Sequence, residues 1–182
     1  VEIEPVAFFE DPHRAARAAL RFTNTTGQTL PAGTLAIFEG GGFAGESALD
    51  RLKPGDARMV GFGQDLDIEI HDYREEATNE PKRVTWDGRH LAEHFLRTRK
   101  VTLELENRSG RDRSVVVRFS LHRNAKVDGV DAVQIDPVSE TPQLLFKSAA
   151  RTRVKRPFTA VEGLESRHGL SQLTRDLVDR LA

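Results

Sequence analysis

The sequence has no cysteine. Disulfide staples, thiolate zinc sites and cysteine nucleophiles are therefore excluded, while the compartment stays open. Nor is there an excess of one charge. Lys and Arg total 27 against 28 for Asp and Glu, a formal charge of -1. A nucleic-acid binder would need a basic surface to displace counterions from phosphates, so none is expected as a partner. Long apolar runs are missing too. The strongest, residues 115–117 and 144–146, fall far short of the roughly 18 residues that a membrane helix needs, and the chain is not expected to span a membrane. Aromatic candidates for stacking on a sugar or anchoring a partner reduce to Trp86 and Tyr73, the only Trp and Tyr, and burial is the commoner fate of such rings. The chain opens on Val1 instead of Met, as expected of a processed protein or a piece of a longer one. A missing signal peptide therefore carries no information about export.

What is present is alternation. The 182 residues, 38% of them hydrophobic, can build one large domain or two small ones. In the stretch Val101-Thr102-Leu103-Glu104-Leu105-Glu106 every odd position is apolar and every even one polar, as a strand with one buried face requires. Leu66-Asp67-Ile68-Glu69-Ile70 repeats the pattern, and residues 114–121 (SVVVRFSL) extend it into a more buried strand. Turn signals separate these runs at Thr26-Gly27, Pro31-Ala32-Gly33, Pro54-Gly55-Asp56, Ser109-Gly110 and Asp128-Gly129. Short strands between such turns predict a mainly β fold, an antiparallel β-sandwich.

An internal echo bears on its organisation. Residues 20–27 (LRFTNTTG) resemble residues 103–110 (LELENRSG), each a strand that ends in Asn-x-Ser/Thr-Gly. Asn and Gly suit tight corners, so these sequons read as turn chemistry. The echo allows two β units, residues 1–80 and 81–168, meeting between Glu76 and Arg83; a single domain is the alternative. Residues 169–182 alone read as an α-helix. Gly169 precedes Ser171, a good N-cap, and Leu170, Leu173, Leu177 and Leu181 recur at helical spacing. That stripe is expected to pack on the sheet or to bind a protein partner, for which a sheet edge is the other candidate surface. Residues 9–20 stay open between helix and strand, because Asp11-Pro12 is a fair helix start.

Two motifs resemble chemistry. His90-Leu91-Ala92-Glu93-His94 matches H-x-x-E-H, in which two histidines on one helical turn hold zinc and Glu93 would act as general base of a hydrolase, with Glu162, Glu165 and His168 available downstream. The turn at Asp87-Gly88 and the strand from Val101 leave little room for that helix. The expectation is therefore a strand or loop, with Leu91 and Phe95 serving the core and no metal at His90 or His94. Residues 40–45 (GGGFAG) match the glycine pattern of dinucleotide folds, and Asp65 and Asp67 lie near the ribose-binding distance. Pro54-Gly55 ends the following element too soon for a crossover helix, so a hairpin loop and no cofactor are expected. No Ser lies in G-x-S-x-G.

Residues 20–70 resemble the C-terminal β domain of unknown function in bacterial proteins related to mucoidy inhibitor A. The markers are Asn24, Leu30-Pro31-Ala32-Gly33, Gly42-Phe43-Ala44-Gly45, Pro54-Gly55 and Gly63-Gln64-Asp65. Further on, residues 101–107 resemble that family's second Asn-ending strand, Leu121-His122 its strand ending in His, and residues 158–162 its closing strand before an acid. The resemblance implies a β-sandwich module without an established catalytic set, often in exported or envelope-associated proteins. A noncatalytic protein-interaction or structural role in the periplasm or cell envelope is the resulting expectation. The alternatives are a cytoplasmic location, a metal-dependent hydrolase on His90, Glu93 and His94, and a carbohydrate-binding module using Trp86 or Tyr73.

Overall fold

The computed structural model describes residues 1–136 and 139–169. The expected C-terminal helix, residues 170–182 with their leucine stripe, lies outside the described residues. The described chain is mainly β. Its strands are β1 (Glu2–Phe9), β2 (Arg17–Thr23), β3 (Gly33–Glu39), β4 (Gly42–Leu49), β5 (Ala57–Gln64) and β6 (Ile68–Trp86), followed by β7 (His90–Asn107), β8 (Arg113–Arg118), β9 (Lys126–Asp128), β10 (Ala132–Ile135), β11 (Pro142–Ser148) and β12 (Thr152–Gly169). Gly169, placed by its sequence at the start of the helix, is the last residue of β12. The segment that left helix and strand open is a turn followed by a strand: Asp11 Oδ1 accepts from the His13 backbone N–H at 2.8 Å, and β2 begins at Arg17. Among the described residues no helix is long and apolar enough to cross a membrane.

A six-stranded sheet runs in the order β10-β11-β8-β1-β2-β5, a four-stranded sheet in the order β6-β7-β12-β9, and β3-β4 form a separate hairpin. The β1–β8 pair is parallel, so the larger sheet is mixed instead of purely antiparallel. Alternation decides what each face does. One face of the larger sheet presents Ala7, Phe9, Val115, Val117, Leu144 and Phe146 to Val101, Leu103, Leu105, Phe158 and Ala160 of the smaller one. Further along the same face, Phe22 and Val60 pack under Ile37 and Leu49 of the hairpin and under Leu52. Two elements thus share one face as its second layer. On the opposite face Val6, Phe8, Ala19 and Val116 form a small cluster, with the Arg118 guanidinium 5.4 Å from the Phe8 ring centroid, so an apolar ring is shielded by a cationic side chain.

The sequence echo is a structural repeat. Asn24 and Asn107 are both fully buried. Asn24 Nδ2 donates to Gln28 O at 2.8 Å and Leu52 O at 3.0 Å, while its Oδ1 accepts from the Thr26 backbone N–H at 3.0 Å and hydroxyl at 2.7 Å. Asn107 Nδ2 donates to Arg111 O at 3.0 Å, Ser148 O at 3.1 Å and Ala149 O at 3.0 Å, and its Oδ1 accepts from Ser109 N–H at 2.9 Å and Oγ–H at 2.6 Å. Each amide closes its own turn and pins a distant backbone carbonyl, which satisfies polar groups that would otherwise be buried unpaired.

The span between Glu76 and Arg83, where two units were expected to meet, lies inside β6. Its backbone is paired with β7 apart from the bulge at Pro81/Arg83. It is an edge strand. Charges, Pro81 and a bulge are the features that protect such an edge from further pairing. Beyond the shared core β6, β7 and β12 continue as a bare three-stranded arm, in which residues 77–86, 90–99 and 163–169 include no buried residue.

Candidate functional site

The glycines of residues 40–45 build a hairpin tip, as expected. Gly40 and Gly41 have φ of 60° and 84°, and a two-residue loop with positive φ at both positions is what a type I′ hairpin requires. Glu39 pairs with Gly42 and Phe38 with Phe43 across the tip, and a bulge follows between Ile37 and Phe38. The bulge bends the strand away from its packed stretch. Phe38 and Phe43 end up 68% and 64% exposed, with their rings 5.8 Å apart edge to face. Beside the bulge, where Gly45 pairs with Ile37, a Cβ on Gly45 would stand 2.6 Å from Phe62 O, so only glycine lets β4 approach β5 this closely.

Between this hairpin and the turn at residues 64–67 lies a groove of about 880 Å³. Its apolar lining includes Ile3, Leu20, Leu35, Phe38 and Leu66, of which Ile3 is 50% exposed and Leu66 75% exposed. Single exposed apolar side chains are ordinary, but several converging on one concave surface mark a binding face. Four of the five charged residues along the groove are paired, Asp67 being the fifth. Arg111 forms an ion pair with Glu39 of the hairpin, and Arg113 with Asp65. The second pair is nearly dry, with side chains 9% and 4% exposed. Asp65 also accepts from the backbone N–H of Asp67 at 3.0 Å and of Ile68 at 3.2 Å. This fixes the turn that carries Leu66, so the acid that falls near the ribose-binding spacing serves as a wall support.

The H-x-x-E-H residues do not assemble. His90, Glu93 and His94 all lie on β7. Positions four apart on a strand share a face but sit about 13 Å apart, and the residue between at odd spacing points the other way. His94 Nε2 lies 3.1 Å from Thr85 Oγ1 and its Nδ1 3.6 Å from Glu165, while His90 Nδ1 is 3.5 Å from Asp87. Glu93 faces His168 at 3.9 Å on the opposite side of the arm. One zinc ion cannot be held by both imidazoles in this arrangement. Leu91 and Phe95, expected in the core, are only half-buried and join no core cluster. Glu162 is buried at the base of the arm and accepts from the His122 backbone N–H at 2.6 Å.

Trp86 is 51% exposed at the arm's tip, beside a turn that Asp87 Oδ1 ties by accepting from the Arg89 and His90 N–H groups at 2.8 and 2.7 Å. Tyr73 packs on the core, edge to face with His13 at 4.7 Å and stacked near Phe119 at 6.3 Å. Burial, then the hydrogen bond and charge of Glu75, push its phenol up to about 12. Arg99 donates to Glu75 at 2.6 and 3.0 Å and holds that carboxyl below its usual range.

A polar cluster was not legible in the sequence. His71 is the extra residue at the β6 bulge, and its Nε2 lies 2.7 Å from Glu106 Oε2 while its Nδ1 lies 3.7 Å from Glu69 Oε1. Arg108 pairs with both carboxylates. The cluster borders a cleft of about 520 Å³ also lined by His13, Arg14 and Tyr73. The ligand-capable atoms of Glu69, His71 and Glu106 lie within 4.8 Å of one another, and the guanidinium already neutralises the carboxylates a cation would need. Comparison with protein-family models, curated proteins and solved structures gives no match for the chain.

Proposed function

We propose that the protein is a noncatalytic β-sandwich module that docks a neutral, apolar segment of another polypeptide in the groove beside the β3–β4 hairpin, within a bacterial envelope-associated protein. The groove itself carries this reading: an apolar concavity of about 880 Å³ with Phe38 and Leu66 standing exposed at its walls. Ion pairs at Glu39–Arg111 and Asp65–Arg113 take up four of the five charged residues of the lining and leave Asp67 as the remaining carboxylate, so the partner is read mainly by apolar contact. The noncatalytic part is supported by the residues that carry the family resemblance. Asn24, Asp65, Asn107 and Glu162 are buried, and each holds backbone N–H or C=O groups. The envelope assignment rests on that resemblance.

The test is retention of a partner at native expression by the protein and by Phe38→Asp, Leu66→Asp and Thr85→Asp. A single polypeptide retained by the unaltered protein and by Thr85→Asp, but released by the two groove variants, is the expected result. Equal retention by all variants would contradict the reading. So would turnover of a peptide or ester substrate that one point substitution abolishes.

A further inference from the structure

The groove is a gap in the second layer. The hairpin covers one part of the larger sheet's inner face and the smaller sheet another, and between them Ile3, Leu20 and Phe22 of that face form the groove's floor. Ile3 pairs directly with Phe22 and so lies on the same side, yet it is 50% exposed. One wall is the edge of a strand. The groove is bordered by every residue from Leu35 to Gly40 and, among the described residues, by none of β4. Side chains of a strand alternate between its faces, so a run without gaps means that the β3 backbone itself faces the groove.

That edge is open. Among the described residues β3 pairs only with β4, which in turn leans on β5 where Gly45 meets Phe62. The outward N–H and C=O groups of β3 therefore have no ladder partner, and an unpaired edge is a template for another strand. Proline and charge, which protect the edge of β6, are missing from residues 33–38. The lining offers one carboxylate outside an ion pair, Asp67, so a run of like charges has no counterpart there and an uncharged segment fits. A second copy does not fit, because its own β3 is recessed in the same way.

We propose that an extended, uncharged segment of another polypeptide adds to β3 as a further strand and completes the second layer, with alternate side chains on Ile3, Leu20 and Leu66. The inference rests on the groove reading and names its chemistry: main-chain hydrogen bonds to β3 set the register, and apolar side chains fill the floor. Residues 35–40 present about 20 Å of edge, enough for about six residues of the partner.

The probe is a capped peptide of alternating threonine and valine, about seven residues long, titrated into the full chain beside a form N-methylated on every threonine and a form N-methylated on every valine. Successive N–H groups of a strand point to opposite edges, so each form removes the donors of one edge and keeps every side chain. The parent is expected to bind and to be weakened by Phe38→Asp. One methylated form should lose at least about tenfold in affinity, the effect of two or three hydrogen bonds, while the other keeps it. Equal affinity of the two methylated forms, in a protein whose partner retention still responds to Leu66→Asp, would overturn strand addition and leave the groove reading standing. Loss of that response would overturn both. A parent peptide that does not bind, or that binds Phe38→Asp equally well, would overturn the proposal as well.

Discussion

The root and the tip of one sheet follow the same rule and meet different fates. At the root, Val101, Leu103 and Leu105 of β7 alternate inward and are 1–2% exposed. At the tip Leu91 and Phe95 keep the same phase on the same strand, yet neither is buried. The difference lies in the second layer: the six-stranded sheet faces the root and stops short of the tip. Alternation therefore says which side chains share a face, and only the opposing element decides whether that face becomes core.

Charge pairs sharpen the contrast most. Asp65→Ala leaves Arg113 nearly buried without its partner and is expected to destabilise by about 3–5 kcal/mol. Glu165→Ala, which breaks the exposed pair with Arg167 at the tip, should leave the urea midpoint unmoved. Apolar truncation comes next. Leu103→Ala is expected to cost about 2–5 kcal/mol, through lost transfer energy and the cavity left behind. Leu91→Ala, in the same phase but half-buried, should cost about 1 kcal/mol. Equal losses for the two leucines in denaturant titrations would break the distinction between root and tip. Asn107→Ala should cost about 1–3 kcal/mol, because three backbone carbonyls lose a buried donor.

A smaller effect concerns pH. Tyr73, the only tyrosine, stands at the root with its phenol pushed up to about 12 from 10.0. A folded-state value above the unfolded one adds stability that is complete below the unfolded pKa and lost as pH rises through the folded one. Stability should therefore fall between about pH 10 and pH 12 as the phenolate forms on unfolding. Absorbance titration of the folded protein should place the single phenol near the upper value. Glu75→Gln should lower it part of the way, since burial is the larger cause. A phenol that titrates at its ordinary value would show that Tyr73 is solvated.

Much of the fold was legible because its signals are local. Alternation at residues 101–106, the Asn-x-Ser/Thr-Gly echo and the glycines of residues 40–45 are each written within a few residues and each became the structure they imply. The failures were long-range. Residues 76–83, which the echo offered as a meeting point of two units, run inside one edge strand whose pairing with β7 no local signal announces. The groove depends on Ile3, Phe38 and Leu66 meeting across three elements, and no spacing in the sequence links them. His71 joined Glu69 and Glu106 through a bulge, which alternation does not announce.

The most direct test places a photo-reactive side chain at Phe38 in one sample and at Trp86 in another, and reads the mass of each adduct in cells. The account predicts that Phe38 captures a second polypeptide, that Leu66→Asp abolishes this adduct, and that Trp86, outside the groove, does not capture it. An adduct at Phe38 that is absent, or that survives Leu66→Asp, would contradict the account at its centre.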